Sequence, residues 1–110
     1  MPMNETYTAH APTRADVDML EGVTLLEFGT AWCGHCRAAQ APLATVLADR
    51  DLRHLKIEDG PGRPLGRSFR VKLWPTLILM RHGEELGRLI RPTSAQPIEE
   101  LLHKADAASN

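Results

Sequence analysis

Apolar positions along the chain fall into two patterns: short continuous runs of strand length, and longer stretches where they recur every three or four residues. Residues 23–28 (Val-Thr-Leu-Leu-Glu-Phe) are almost wholly apolar, broken by one acid. Such a run suits a central strand covered on both faces. After Cys36, the residues Ala39, Leu43, Val46 and Leu47 repeat at helical spacing to about Ala48. Pro42 lies inside that helix and predicts a kink, because it has no amide hydrogen and its ring crowds the preceding turn. Residues 52–58 read as a second strand. Strand, helix and strand in this order make a βαβ unit with parallel pairing.

The remaining elements follow from caps and breakers. Thr13, with Asp16 in the first turn, predicts a short helix to about Leu20, ended by Gly22. Residues 59–66 (Asp-Gly-Pro-Gly-Arg-Pro-Leu-Gly) carry loop chemistry, with one helical turn near residues 65–70. Residues 76–80 form a third strand, His82-Gly83 a hairpin turn, and residues 85–90 the returning strand. Ser94 offers a cap for a last helix with the stripe Ile98, Leu101, Leu102 and Ala105, and Pro97 is tolerated in its first turn. The order is α-β-α-β-α-β-β-α: a parallel pair, then an antiparallel hairpin, with helices on the sheet faces. Residues 1–11 read as a flexible polar lead-in, which leaves one domain over residues 12–110, with no internal repeat.

Composition narrows the function. The 110 residues are 43% apolar, enough for a core without metal or disulfide staples. A formal net charge of −1 offers no basic stripe for a nucleic acid. The polar N-terminus lacks the apolar segment of a secretory signal, and no apolar run approaches membrane-spanning length. A cytoplasmic protein without a membrane anchor is expected.

The 2 cysteines, Cys33 and Cys36, stand in Ala31-Trp32-Cys33-Gly34-His35-Cys36. A disulfide across two residues closes almost no loop, so stapling is a weak reason for the pair. A closed zinc site needs four ligands, and His10, His54, His82 and His103 show no ligand spacing. Haem attachment needs a histidine after the second cysteine, where this chain has Arg37. No bound metal is expected. The pair sits where a strand passes into a helix. Unpaired amides there favour a thiolate, so Cys33 should be the nucleophile and Cys36, one turn deeper, the resolving thiol.

From about residue 12 to about residue 106 the chain resembles the thioredoxin family. The resemblance rests on Phe28, the Trp32-Cys33-Gly34-His35-Cys36 box, Lys56, Trp74-Pro75-Thr76, the Gly83 hairpin and the capped last helix. It implies an α/β thioredoxin fold: a central mixed sheet, parallel βαβ plus antiparallel β-hairpin, flanked by helices. It also implies a thiol–disulfide oxidoreductase that reduces protein disulfides through Cys33 and Cys36. Such a protein acts as a monomer, binds no cofactor and is recharged by an NADPH-dependent flavin reductase. By position, Pro75 is the family's cis-proline facing the cysteines, and the Trp74 backbone pairs with an extended client. Trp32, Gly34, Trp74, Pro75 and Arg91 would line the client groove. Glu27 holds the place of the buried acid that takes the proton from Cys36. Removing a buried carboxylate is expected to stabilise the fold. Lys56 would lie near that acid, as a largely solvated strand residue with a small electrostatic effect.

Several residues depart from the family pattern. Gly34-His35 replaces the usual Gly-Pro, as in protein disulfide isomerases, and His35 should stabilise the Cys33 thiolate further. A more oxidising pair would also suit a disulfide oxidase or isomerase, although a reducing cytosol argues against that. Gly29 stands where many thioredoxins carry a second tryptophan. Trp74 replaces a smaller residue and Arg91 a groove glycine, which together should narrow the client groove. A partner-binding module with little turnover is the reading from another class.

Overall fold

The computed structural model describes residues 3–8 and 10–108. Its elements are α1 (Arg14–Asp18), β1 (Val23–Gly29), α2 (Gly34–Leu47), β2 (Arg53–Glu58), α3 (Pro64–Ser68), β3 (Thr76–Arg81), β4 (Glu84–Ile90) and α4 (Ala95–Ala108). The order matches the one read from the apolar pattern, with ends shifted by a residue or two. Thr13 caps α1 in a reciprocal capping box with Asp16. Pro42 lies inside α2 without ending it. His82 and Gly83 both have positive φ, 49° and 79°, the backbone of a tight two-residue hairpin.

The sheet order is β2-β1-β3-β4. β1 pairs in parallel with β2 and antiparallel with β3, and β3 pairs antiparallel with β4. Side chains alternate across β1, which divides the core in two. Leu25 faces a cluster with Leu43 and Val46 of α2 and Ile98 and Leu102 of α4. Leu26 and Phe28 face the other side, among Val17, Leu65, Phe69 and Ile78. Each such apolar side chain contributes roughly 1.5–3 kcal/mol on burial. Glu27 points to the same side as Leu25, so the α2 face carries one acid at the carboxyl end of the central strand.

Residues 4–8 do not stand apart from this domain, contrary to the expected lead-in. Thr8 pairs in parallel beside Ile57. Its amide donates to the Lys56 carbonyl at 2.8 Å, and its carbonyl accepts the Glu58 amide at 3.1 Å. The Asn4 amide donates to His54 Nδ1 at 2.9 Å. β2 is an edge strand with free backbone groups on one side, and this segment takes them up. No hydrophobic period marks it because its contacts are mainly backbone pairing.

Candidate active site

Cys33 is the N-cap of α2. Its extended backbone (φ −80°, ψ 123°) leads the chain into the helix, and its sulfur accepts the Cys36 amide at 3.3 Å. Burial pushes the Cys33 thiol up. Hydrogen bonds from the Cys36 thiol, from the Cys36 and His35 amides, and the charge of Arg91 outweigh it, so the thiol sits below its ordinary value. Cys36 lies within α2, and burial and the Cys33 sulfur push it up to about 11. Cys33 keeps 9% of its surface exposed and Cys36 1%, so an incoming sulfur meets Cys33 first. Both cysteines are free thiols.

The Trp74–Pro75 peptide is cis, and the Trp74 carbonyl oxygen lies 4.0 Å from Cys33 Sγ. Arg91 follows β4 with φ 52°, and its amide donates to the Pro75 carbonyl at 2.9 Å. Its Nε donates to the Trp74 carbonyl at 2.9 Å. Trp32 is 71% exposed and meets Trp74 edge-on, with ring centroids 5.7 Å apart. Trp74 Nε1 donates to Asp59 Oδ2 at 2.8 Å. A side chain at Gly34 would meet nothing within 4 Å, so the approach to Cys33 is open there. His35 is exposed, and among the described residues its imidazole makes no hydrogen bond; its backbone amide is what serves Cys33.

Behind the cysteines lies a buried polar cluster. The Glu27 carboxylate, fully buried, accepts from His54 Nε2 at 2.8 Å, Gln40 Nε2 at 2.9 Å and the Tyr7 hydroxyl at 3.3 Å. The Asn4 amide occupies His54 Nδ1 as acceptor, which leaves the ring proton on Nε2 for Glu27. Burial pushes the Glu27 carboxyl up, but the His54 and Gln40 hydrogen bonds and the Lys56 charge bring it below the usual value. Glu27 is therefore a carboxylate near neutral pH. Lys56 is 4% exposed rather than solvated: Nζ donates to Gln40 Oε1 at 2.6 Å and lies 4.6 Å from the centre of the Tyr7 ring. Docking of residues 4–8 over the edge of β2 is what covers it.

These features are those of a redox dithiol, and comparison with known proteins agrees. The thioredoxin family model matches residues 7–104. The chain belongs to the thioredoxin family. Its structure is similar to that of thioredoxin 2 from Pseudomonas aeruginosa PAO1 in its reduced form. The two are 53% identical with a TM-score of 0.85, over 96% of this chain and 99% of that one. Thioredoxin H2-1 of Oryza sativa subsp. japonica is 33% identical over 89 residues, 79% of this chain but only 59% of the rice protein. Thioredoxin of Staphylococcus haemolyticus is 27% identical over 93 residues, 81% of this chain and 88% of that protein. As a thioredoxin, this chain is a thiol–disulfide oxidoreductase, a protein-disulfide reductase whose redox group is its own cysteine pair. Among the described residues, no helix is long and apolar enough to cross a membrane.

The thioredoxin site gathers Trp32, Cys33, Gly34, Cys36, Trp74, Pro75 and Arg91 at one end of the sheet, with Glu27 and Lys56 behind. Sequence reasoning missed Tyr7, His54 and Gln40. Two signals were available. His54 and Lys56 are two apart in a strand and so share a face, and Gln40 is four residues after Cys36 in a helix. Tyr7 carried no signal. Sequence reasoning also passed over a groove of about 700 Å³ beside Trp74, lined by Asp59, Arg63, Arg67, Arg70 and Lys72 among others. Arg63 pairs with Glu58, whereas Arg67, Arg70 and Lys72 have no acidic partner among the described residues.

Proposed function

We propose that this thioredoxin reduces client-protein disulfides with Cys33 as nucleophile and Cys36 as resolving thiol. The Cys33 thiolate attacks one client sulfur, the client S–S bond breaks, and the other client sulfur leaves as a thiolate. Cys36 then attacks the Cys33 sulfur of the mixed disulfide. The Cys33–Cys36 bond forms, the second client thiolate leaves, and two electrons have passed to the client. The observation that carries this reading is the Cys33 sulfur at the N-terminus of α2, shallow and held below the ordinary thiol value, with Cys36 buried behind it.

Glu27 accepts the Cys36 proton, and Lys56 and His35 tune the pair. Trp32, Gly34, Trp74, Pro75 and Arg91 form the client groove, and the Trp74 backbone pairs with an extended client segment. An NADPH-dependent flavin reductase recharges the disulfide. The protein works as a monomer in the cytoplasm, because a dithiol reductase needs a reducing compartment to stay reduced.

The test is insulin reduction by the wild type, Cys33→Ser and Cys36→Ser. Both variants should lose turnover. Only Cys36→Ser should accumulate a mixed disulfide, and peptide mapping should place it on Cys33. Trapping on Cys36 in the Cys33→Ser variant, or turnover by either variant, would overturn the assignment.

A further inference from the structure

The departure at Gly29 and the docking of residues 4–8 belong together. A Cβ at position 29 would stand 2.5 Å from Cys36 Sγ and 3.0 Å from the Tyr7 hydroxyl oxygen. A side chain there would occupy the gap that the hydroxyl and the resolving sulfur share. Tyr7 reaches this space from outside the sheet, held by the backbone pairing of Thr8 with Lys56 and Glu58. The same hydroxyl donates to Glu27 Oε2 at 3.3 Å. The hydroxyl that bonds the acid therefore faces the same small gap beside Gly29 as the Cys36 sulfur.

We propose that the Tyr7 hydroxyl is a catalytic residue of the resolving step, passing the Cys36 proton to Glu27. This deepens the function proposed above and rests on Cys36 being the resolving thiol. As Cys36 Sγ attacks Cys33 Sγ, its proton moves to Tyr7 Oη while the Tyr7 proton moves to Glu27 Oε2. The Cys33–Cys36 bond forms and the bond from Cys33 to the client breaks, with the electron pair leaving on the client thiolate. That thiolate takes a proton from solvent, and the Glu27 proton is lost to solvent through the pocket of about 340 Å³ lined by Tyr7, Cys36, Gln40 and Lys56 among others. Charge and proton count balance without a further reagent.

The surroundings fit a hydroxyl that relays but does not ionise. Burial, the Glu27 and Cys36 charges and the two hydrogen bonds push the Tyr7 phenol above its ordinary value, so it stays protonated between turnovers. The titratable and charged groups around it are Glu27 on β1, Cys36 on α2, and Lys56 on β2 over its ring, with His54 reached through Glu27, and Glu5, Arg37 and Glu58 lining the same pocket. Lys56 donates to Gln40 and to the Glu5 carbonyl, which leaves the Tyr7 hydroxyl free to alternate between Glu27 and the sulfur.

The experiment is single-turnover reduction of a fluorescent peptide disulfide, with mixed-disulfide formation and release followed separately. Tyr7→Phe should leave formation and its pH profile unchanged. It should slow release near pH 7 by about ten-fold, with the deficit closing as pH nears the Cys36 value. Tyr7→Phe combined with Glu27→Gln should be about as slow as either alone, because both interrupt one path. Release that is unchanged at every pH, or formation that falls as much as release, overturns the relay. No mixed disulfide in the wild type instead overturns the proposed function. Solvent deuterium supplies a second measurement that needs no variant. The wild-type release rate should depend non-linearly on the deuterium fraction, since two protons move, and a linear dependence would refute the relay.

Discussion

Arg91 Nε donates to the Trp74 carbonyl at 2.9 Å, and that same oxygen lies 4.0 Å from Cys33 Sγ. The acceptor proposed to pair with an extended client is therefore already occupied by a side chain of the chain itself. A client that pairs with the Trp74 backbone, as proposed, has to displace the guanidinium first. Arg91→Gly should raise the rate of insulin reduction by several-fold, about the value of one exposed hydrogen bond. The same change should raise the pH at which Cys33 is alkylated, since Arg91 helps hold its thiol down. It should also stabilise the fold by about 1 kcal/mol, because φ 52° is the left-handed region that glycine occupies without strain. Rate, alkylation profile and thermal melt are measured on one variant, and an unchanged insulin rate would show that the guanidinium does not compete with clients.

Iodoacetamide at pH 7 should label Cys33 and spare Cys36. The Cys33 thiol is shallow and lowered, whereas Cys36 is buried and pushed up to about 11. Mass spectrometry of tryptic peptides reads the site. Equal labelling would contradict the geometry.

His35 offers a test of which of its atoms matters. The imidazole is exposed, and the backbone amide is the part of His35 that helps hold the Cys33 thiol down. His35→Pro removes that amide while proline remains compatible with the first helical turn. It should make the disulfide roughly 30 mV more reducing, the value of one hydrogen bond to a charged group. His35→Ala keeps the amide and should shift the potential much less. A glutathione titration of both variants decides, and equal shifts would return the role to the imidazole.

Glu27→Ala should destabilise the protein, the reverse of what a buried carboxylate suggests from sequence. Removing it strands the buried His54 donor away from water and takes a partner from the half-buried Gln40 and Tyr7. Each orphaned buried donor costs about 1–3 kcal/mol. The Glu27 carboxyl is held below its unfolded value, so its contribution is present above that value and lost as pH falls through the folded one. Wild-type stability should therefore decline below about pH 4, and Glu27→Gln should flatten that decline. Urea melts across pH 3–7 measure it, and parallel curves for the two proteins would remove Glu27 from the acid response.

The groove beside Trp74 predicts a client preference. Arg67, Arg70 and Lys72 line it without acidic partners among the described residues. Peptide disulfides with an acidic flank should be reduced faster than neutral ones, and the advantage should fade as salt shortens the screening length. Arg67→Glu with Arg70→Glu should abolish the preference and spare the neutral peptide. A preference that survives both salt and reversal would place its source elsewhere.

Much of this molecule was legible in its sequence because the information was local. The apolar run at residues 23–28, the stripe on α2, the Thr13 cap and the His82-Gly83 turn each depend on neighbours within a few positions, and so gave the element order. The spacing of Cys33 and Cys36 at a strand-to-helix junction put Cys33 at the N-cap of α2, since helix-terminal amides come with the helix. What lay beyond reach depends on distant segments meeting. The Tyr7 hydroxyl bonds Glu27 and faces the gap beside Cys36 only because an edge strand accepts residues 4–8, and backbone pairing leaves no trace in side-chain pattern. Lys56 and His54 read as strand residues of either face until that segment covers them. The backbone of Arg91 is fixed by the Pro75 carbonyl, so only the folded chain could turn a missing glycine into a guanidinium resting on the Trp74 carbonyl.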